Sequence, residues 1–150
     1  MKYLLIDTAN MFFRARHVAF RATDPWEKVG YALHISMAAI NKVAKKFDAD
    51  HVVFCLEGRS WRKDHYKPYK ANRSEASWIA LHPTDEHVII SSDSDFYQLI
   101  TKNVTQFNGI TDNLITLEGI YDAKGKQVID KKTKEPKLLG DPEWLLFEKC

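Results

Sequence analysis

Acidic residues end three separate apolar runs of this sequence. Asp7 closes the run "YLLID", Glu57 follows "HVVFCL", and Asp93 and Asp95 follow "HVIISS". Carboxylates are ligands for hard divalent cations such as Mg²⁺ and Mn²⁺, and no cluster of His and Cys with zinc spacing competes with them. The pattern predicts a metal site built from these four side chains. For Asp93 or Asp95 taken singly, a helix cap is the alternative.

The stretch "GRSWRKDHYKPYKANR", residues 58–73, concentrates positive charge. It holds six basic residues and one acidic residue, so it carries +5, whereas the whole chain carries only +2. Aromatic side chains alternate with the cations, which suits a nucleic-acid strand whose phosphates pair with the charges while its bases stack on the rings. The alternative is a solvated loop. The basic residues are Arg59, Arg62, Lys63, Lys67, Lys70 and Arg73, and the aromatic ones include Tyr66 and Tyr69.

The acidic residues need elements that bring them together, and the apolar runs supply these. Runs that begin at residues 3, 51 and 87 predict strands. Between the first two, Asp24 as N-cap and Pro25 at the first helical position predict a long amphipathic helix. Strand, helix and strand in this order predict a parallel α/β sheet whose carboxyl edge forms the ligand crevice. The apolar face of the helix is predicted to consist of Val29, Leu33, Met37, Ile40, Val43, Ala44 and Phe47.

The later part of the chain has a different pattern. A short helix is expected in "DFYQLI", and residues 104–137 then alternate β-rich runs with turn signals such as "DAKGK". This predicts a further strand followed by a β-hairpin excursion. The lysines of this region are expected to be solvated, with DNA contact as the alternative. The predicted fold class is α/β, with a parallel-sheet core, flanking helices and the hairpin excursion.

Length and composition limit the remaining possibilities. A chain of 150 residues that is 45% hydrophobic is expected to form one globular domain over 1–150. Cys55 and Cys150 lie too far apart in the sequence to suggest a disulfide framework or a zinc site. No apolar stretch approaches the roughly 20 residues that span a bilayer. We therefore expect a monomer in the cytoplasm that does not contact membranes.

Three blocks of the sequence, taken together, resemble the 5′ nuclease family. The blocks "LLIDTANMFFRA", "VVFCLEGRSWRKDHYKPYKANR" and "VIISSDSDFYQLI" occur in the family's order. The family includes phage 5′-3′ exonucleases, the nuclease domains of bacterial DNA polymerase I, and flap endonucleases, and the phage members are the most similar. The resemblance implies a PIN-like fold and a replication nuclease that hydrolyses phosphodiester bonds near DNA 5′ ends, in the host cytoplasm if it comes from a phage.

The same resemblance implies roles for individual residues. Asp7, Asp93 and Asp95 would bind Mg²⁺ or Mn²⁺ or support its ligands, and catalysis would be metal-assisted hydrolysis without a side-chain nucleophile. Lys70 and Arg73 would contact the scissile phosphate. The substrates would be DNA 5′ ends, flaps and junctions of single and double strands, with RNA in hybrids left open. The implied nucleic-acid-binding set is Arg14, Arg59, Arg62, Lys63, Tyr66, Lys67, Tyr69, Lys70 and Arg73.

The sequence departs from the family pattern at three places. Cys55 stands where the family has an aspartate, although Glu57 lies on the same face of an extended strand. Only "SEAS" separates Arg73 from Trp78, where family members have a helical arch and an acidic "EADD" motif. We expect residues to be omitted at this junction, which predicts a chain break between 73 and 78; a true deletion is the alternative. The sequence also stops after "GDPEWLLFEKC", before further metal-binding aspartates, so a longer chain is expected.

Two other functions remain open. A DNA-binding module of the same fold without catalysis is favoured by Cys55 and by the absent acidic motif. A phosphatase-type enzyme with an aspartate nucleophile would also place an acid at the first strand end. That class has a second aspartate two residues later, where this chain has Ala9.

Overall fold

A six-stranded mixed sheet forms the centre of the protein, with helices on both faces. The computed structural model describes residues 1–19, 22–56 and 74–136. The strands are β1 (Lys2–Asp7), β2 (His51–Cys55), β3 (Glu86–Ile90), β4 (Val104–Asn108), β5 (Asn113–Thr116) and β6 (Gly119–Tyr121). The helices are α1 (Thr8–Val18), α2 (Pro25–Phe47) and α3 (Ser74–Leu81), with a 3₁₀ helix over Ser94–Leu99.

The sheet order is β2-β1-β3-β4-β5-β6, and the first four strands are parallel. The predicted α/β fold with a parallel core is therefore confirmed. The expected hairpin is present as β5 and β6, and instead of leaving the core it extends the sheet with antiparallel pairing. The reason is the short turn over 109–112, because antiparallel neighbours need only a tight connection whereas parallel ones need a crossover.

Strand β1 is the most deeply buried element, because apolar side chains cover both of its faces. Leu4 and Ile6 pack with Ile40 and Val43 of α2 on one face. On the other face Leu5 belongs to a cluster that includes Phe96 of the 3₁₀ helix, with Trp78 and Ile79 of α3 packed against it. A strand buried on both faces reads as a continuous apolar run, as "YLLI" does.

Helix α2 begins and ends where local sequence signals place it. Asp24 is the N-cap, and its side chain accepts a hydrogen bond from the Trp26 N–H. Asp48 ends the helix in the left-handed conformation, with φ of 50°. The predicted helix and its N-terminal cap are confirmed.

The apolar face of α2 is only partly buried, which corrects the sequence prediction. Ile40 and Val43 are in the core, whereas Val29, Leu33 and Met37 are 44%, 49% and 55% exposed. The cause is the rotation of the helix: its buried residues are Ala32, Ser36, Ile40 and Val43, so in the N-terminal half the buried face lies one position before Leu33 and Met37. Helix α1 also packs against α2, and the buried face therefore depends on neighbours other than the sheet.

Two helices were not predicted from the sequence. Helix α1 starts at Thr8, immediately after β1, and α3 runs without interruption over Ser74–Leu81. Whether residues are omitted at the junction between Arg73 and Trp78 stays a prediction, because the helix describes only the residues from Ser74 onward. Arg73 lies outside the described residues.

Candidate functional site

The carboxyl ends of β1 and β3 lie side by side and bring two distant parts of the sequence together. Ile6 pairs with Ile90 in the parallel register, so Asp7 and Ser91 follow at the same level. The Ser91 hydroxyl donates a hydrogen bond of 2.8 Å to Asp7 Oδ2. The other oxygen, Oδ1, accepts a 3.2 Å bond from the Asn10 N–H, and Asp7 thereby caps α1. Asp7 is 7% exposed, so this carboxyl group is held between strand and helix.

The turn that follows β3 attaches a second aspartate to the same hydroxyl. The Asp93 N–H donates to Ser91 Oγ at 3.1 Å, and Asp93 Oδ1 accepts from the Asp95 N–H at 2.9 Å. Asp93 is the N-cap of the 3₁₀ helix, so the helix-cap alternative is correct for it. That role does not exclude metal binding, because each carboxylate oxygen carries two lone pairs. Asp7 and Asp93 are thus linked through one serine.

A second set of hydrogen bonds ties α1 to this turn. Asn10 Oδ1 accepts from the Ser92 N–H at 3.4 Å and from the Ser92 hydroxyl at 3.1 Å. Gln106 of β4 lies below the turn, 0% exposed, and donates to the carbonyls of Ser91 and Asp93. Sequence reasoning missed these polar residues. The available signals were the spacing of Asn10 three residues after Asp7 and a glutamine at an inward position of a strand.

The site has the chemistry of a hard-cation site, although the described carboxylates do not complete one. Within 1–19, 22–56 and 74–136, no three Asp, Glu, His or Cys side chains are grouped to hold a single ion. Asp7, Asp93 and Asp95 share the carboxyl edge as expected, but they do not form a compact trio. The donor set still fits Mg²⁺, which is typically bound by one or two carboxylates and completed by waters and substrate phosphates.

The neighbouring strand places a neutral residue beside Asp7. Cys55 ends β2, pairs in register with Asp7, and is buried. Its Sγ lies 3.9 Å from the Val53 carbonyl oxygen. This is the position at which the resemblance predicts an aspartate. The described part of the edge therefore carries less negative charge than the family pattern implies.

One residue of the predicted nucleic-acid-binding set is described. Arg14 is half-buried on α1, and a Cβ added at Gly109 would lie 3.5 Å from Arg14 Nη1. Arg14 thus lies against the turn between β4 and β5, at the edge that carries Asp7. The remaining members of that set and Glu57 of the predicted metal site lie outside the described residues. The remaining members are Arg59, Arg62, Lys63, Tyr66, Lys67, Tyr69, Lys70 and Arg73.

Tyr97 lies in the 3₁₀ helix two residues after Asp95 and packs against the apolar cluster of Ile100, Ile115 and Ile120. Burial raises the pKa of its phenol above the usual 10.0.

Comparison with known proteins finds a family, a relative and a solved structure to which this chain is similar. The family described as "5′-3′ exonuclease, N-terminal resolvase-like domain" matches residues 2–80. A 5′-3′ exonuclease of Mycoplasmopsis pulmonis (strain UAB CTIP) is 26% identical over 174 aligned residues, which cover 87% of this chain and 57% of the relative. A solved T5 5′-exonuclease mutant has a TM-score of 0.51 at 19% identity, over 77% of this chain and 53% of the other. At that identity the structural likeness shows the fold.

Both relatives are longer than this chain. The chain spans about half the length of both relatives. The alignment with the Mycoplasmopsis protein is 174 positions long but includes only 87% of the 150 residues of this chain, so more than 40 positions of the relative have no counterpart here. Omitted residues and a true deletion would both give such a gap, and the prediction for the junction between Arg73 and Trp78 stays a prediction.

Proposed function

This chain belongs to the family of 5′-3′ exonuclease N-terminal resolvase-like domains, and from that premise we propose that it acts as a divalent-metal-dependent nuclease. The proposed reaction is hydrolysis of phosphodiester bonds near DNA 5′ ends, as a 5′-3′ exonuclease or a flap endonuclease. The observation that carries this proposal is the Asp7–Ser91–Asp93 link at the ends of two neighbouring parallel strands, in which the Ser91 hydroxyl donates to the Asp7 carboxylate and accepts from the Asp93 backbone N–H.

The proposed cofactor is Mg²⁺ or Mn²⁺, with Asp7 and Asp93 as its described protein ligands. Asp95 and Glu57 are proposed as further members of the set. When bound, such an ion lowers the pKa of a coordinated water and neutralises charge that develops on the phosphate. The role of the chain is to hold these carboxylates in fixed positions. Ser91 orients Asp7 and Asn10 fixes the start of α1, while the cap bond to the Asp95 N–H fixes Asp93.

The substrate is proposed to be DNA, bound along the carboxyl edge of the sheet. Support comes from the +5 charge of residues 58–73, which directly follow β2, and from Arg14, which lies at the same edge. Lys70 and Arg73 are proposed to pair with the scissile phosphate, and Tyr69 to stack on the terminal base. Fixed positive charges of this kind stabilise a transition state by a few kcal/mol each, about 3 kcal/mol for a single well-placed donor.

A second candidate function is a DNA-binding module of the same fold that does not cleave. Three observations favour it. The described carboxylates do not form a group of three, and Cys55 occupies the strand end beside Asp7. The relative also carries more than 40 aligned positions that this chain lacks. Both candidates bind DNA at the carboxyl edge, so cleavage must be measured separately from binding.

The test is a paired assay of binding and cleavage with two fluorescent 5′-labelled substrates. A flap duplex and a blunt duplex are incubated with the protein in Mg²⁺, in Mn²⁺ and in EDTA, and both anisotropy and product length are measured. We expect short 5′ products in either metal and none in EDTA. Binding without products in any metal would establish the non-catalytic module, and the absence of binding would overturn both candidates.

A further inference from the structure

Gln106 has no role in the function proposed above, yet its buried side chain donates two hydrogen bonds to the turn that carries Asp93. We infer that Gln106 is a positioning residue that sets the geometry of residues 91–93, called here the 91–93 turn. This inference rests on the proposed function, because it names the side chain that holds one proposed ligand at the correct distance from the other. It concerns placement of Asp7 and Asp93, and Gln106 itself contacts neither metal nor DNA.

The hydrogen bonds of Gln106 bracket the turn. Its Nε2 donates to the Ser91 carbonyl at 3.0 Å and to the Asp93 carbonyl at 2.9 Å. These two carbonyls belong to the first and last residues of the 91–93 turn. One amide group therefore fixes both ends of the segment from below, and the segment cannot shift without breaking at least one bond.

The register of the sheet explains why Gln106 can reach both carbonyls. Gln106 pairs with Ile89 in the parallel β3–β4 ladder, two residues before Ser91. Its side chain lies on the face of the sheet that carries Phe96 and Val104. The 91–93 turn crosses over this face as the chain passes from β3 into the 3₁₀ helix. The amide thus lies below the turn instead of beside it.

The orientation of the amide follows from its surroundings. Carbonyl oxygens accept hydrogen bonds and cannot donate, so only the NH₂ end of Gln106 can face them. The Oε1 atom is buried and has no hydrogen-bond partner in the described part of the chain. A buried acceptor without a donor is unfavourable. An amide at this position is therefore not favourable for stability alone. Its contribution is the pair of hydrogen bonds that it donates to the turn.

Those bonds act on the site through Ser91 and Asp93. The Ser91 hydroxyl must point at Asp7 Oδ2 while it accepts from the Asp93 N–H, and both bonds depend on the path of the turn. Mg²⁺ demands near-ideal octahedral geometry, so a displacement of one carboxylate is not easily absorbed. A misplacement of 1 Å in a catalytic group costs on the order of 100-fold in rate.

The test uses Gln106→Met and Gln106→Glu, measured on the full chain. Methionine keeps the length of the side chain but removes both donors and the unpartnered oxygen. Glutamate also keeps the shape and places a carboxylate against two carbonyls. The readouts are kcat and KM on the labelled flap substrate, Mn²⁺ affinity from the electron paramagnetic resonance signal of the free ion, and Tm.

Two control variants separate positioning from general destabilisation. Gln127→Met makes the same chemical change in the segment beyond β6, far from the turn. Ile115→Val removes one methylene from the core beside β4, where Ile115 is 2% exposed, and destabilises the fold without altering a polar group.

We expect Gln106→Met to lower kcat by 10- to 100-fold and Mn²⁺ affinity several-fold, with KM within twofold of the wild-type value. Gln106→Glu should lower kcat further. Gln127→Met and Ile115→Val should leave kcat and Mn²⁺ affinity unchanged at temperatures where all variants are folded. If Gln106→Met loses no more activity and Mn²⁺ affinity than Ile115→Val, Gln106 is a structural residue only and the inference is overturned.

The same experiment separates this inference from the proposed function. A wild-type chain that neither cleaves DNA nor binds Mn²⁺ would overturn the proposed function, and the inference with it. A wild-type chain that binds Mn²⁺ without cleavage would still decide the inference through the Mn²⁺ affinities of the variants. A normal wild-type enzyme with an unaffected Gln106→Met variant would overturn the inference alone.

Discussion

The two edges of the sheet differ in how their charged groups are balanced. At the amino edge, charges neutralise each other: the Met1 ammonium lies 3.2 Å from Asp85 Oδ1, and Lys2 Nζ lies 3.4 Å from Glu86 Oε2. The Lys2 N–H also donates to Asp50 Oδ2 at 2.8 Å. At the carboxyl edge, Asp7 is buried and receives only neutral donors, as far as the described residues extend.

Rings complete the amino edge. Tyr3 is 8% exposed and has the rings of His51, Trp78, His82 and His87 around it, with centroids 5.1 to 5.8 Å away. Aromatic pairs at such distances add stability beyond the area they bury. The amino edge therefore pairs its charges and packs its rings closely, while two buried ring nitrogens, Trp78 Nε1 and His87 Nδ1, have no hydrogen-bond partner among the described residues.

The difference indicates which edge is built to bind. A buried carboxylate that is not balanced by a positive charge is unfavourable unless hydrogen bonds and a cation compensate it. The Ser91 hydroxyl and the Asn10 N–H supply the hydrogen bonds to Asp7, and a divalent ion would supply the charge. We therefore expect substitutions at the amino edge to change stability and those at the carboxyl edge to change activity.

The largest effect is expected for Asp7→Asn. The substitution preserves shape and removes the charge that would bind the ion, so single-turnover cleavage of the flap substrate should fall about 10³-fold, or about 4 kcal/mol. Asp48→Asn is the matched control, because Asp48 is exposed at the C-terminus of α2 and asparagine accepts its positive φ. Cleavage by Asp7→Asn within tenfold of wild type would remove Asp7 from the metal site.

The next largest effect is expected at the opposite edge, from Tyr3→Leu. Loss of the ring contacts should lower the free energy of unfolding by about 2 kcal/mol and Tm by roughly 4 to 8 °C, measured by thermal denaturation. The kcat of the folded protein should not change. Tyr31→Leu is the control on the exposed surface of α2 and should leave Tm nearly unchanged. A drop in kcat without a drop in Tm would contradict the division between the edges.

Ser91→Ala should have an intermediate effect on the carboxyl edge. It removes the bond to Asp7 and the acceptor for the Asp93 N–H, and the loss of about 1 to 1.5 kcal/mol of orientation corresponds to roughly tenfold in kcat. Ser36→Ala also loses one buried hydroxyl bond, to the Ala32 carbonyl in α2, and should change stability only. Equal kcat values for the two variants would mean that Ser91 does not orient the carboxyl groups.

The smallest effect is expected from substitution of surface lysines, and it tests which edge of the sheet the DNA contacts. Strand β6 ends at the level of Ile90, since Tyr121 pairs with Leu114, which pairs with Phe107. The turn after β6, with Lys124 and Lys126 exposed on it, therefore lies at the carboxyl edge. Three strand intervals separate it from β3, or roughly 14 Å.

DNA along that edge should contact this turn. The double variant of Lys124 and Lys126 to Ala should weaken binding a few-fold and reduce the salt slope of log K by about 1 to 2, measured by anisotropy between 50 and 200 mM salt. Residues 127–129 run back antiparallel to β6, so Lys131 and Lys132 lie towards the amino edge. Their double variant is the control and should leave the slope unchanged. Identical slopes for both pairs would place the DNA elsewhere.

Much of the fold could be predicted because its signals are local. The run "YLLID" predicts a doubly buried strand, and Asp24 with Pro25 predicts the start of α2; both agree with the structure. The carboxyl-edge position of Asp7, Asp93 and Asp95 follows from the ends of the strands. These inferences succeed because the side-chain period of an element and its start and stop signals are encoded within a few residues.

Other features depend on contacts that no local pattern encodes. The apolar spacing of α2 did not reveal that Val29, Leu33 and Met37 would be exposed, because the face that is buried depends on which elements, α1 among them, pack against the helix. Helices α1 and α3 were missed, since one directly continues a strand and the other is only eight residues long. The absence of a compact trio among the described carboxylates was also beyond sequence reasoning.

The sequence by itself determined the residue types at the strand ends and the order of the elements that carry them. Only the tertiary structure decided which groups meet: Asp7 and Ser91 are 84 positions apart, and Gln106 reaches two carbonyls of a turn more than ten residues earlier. The physical reason is the register of the parallel sheet. Shifting β3 by one residue against β1 would turn Ser91 to the opposite face, and the link between Asp7 and Asp93 would be lost.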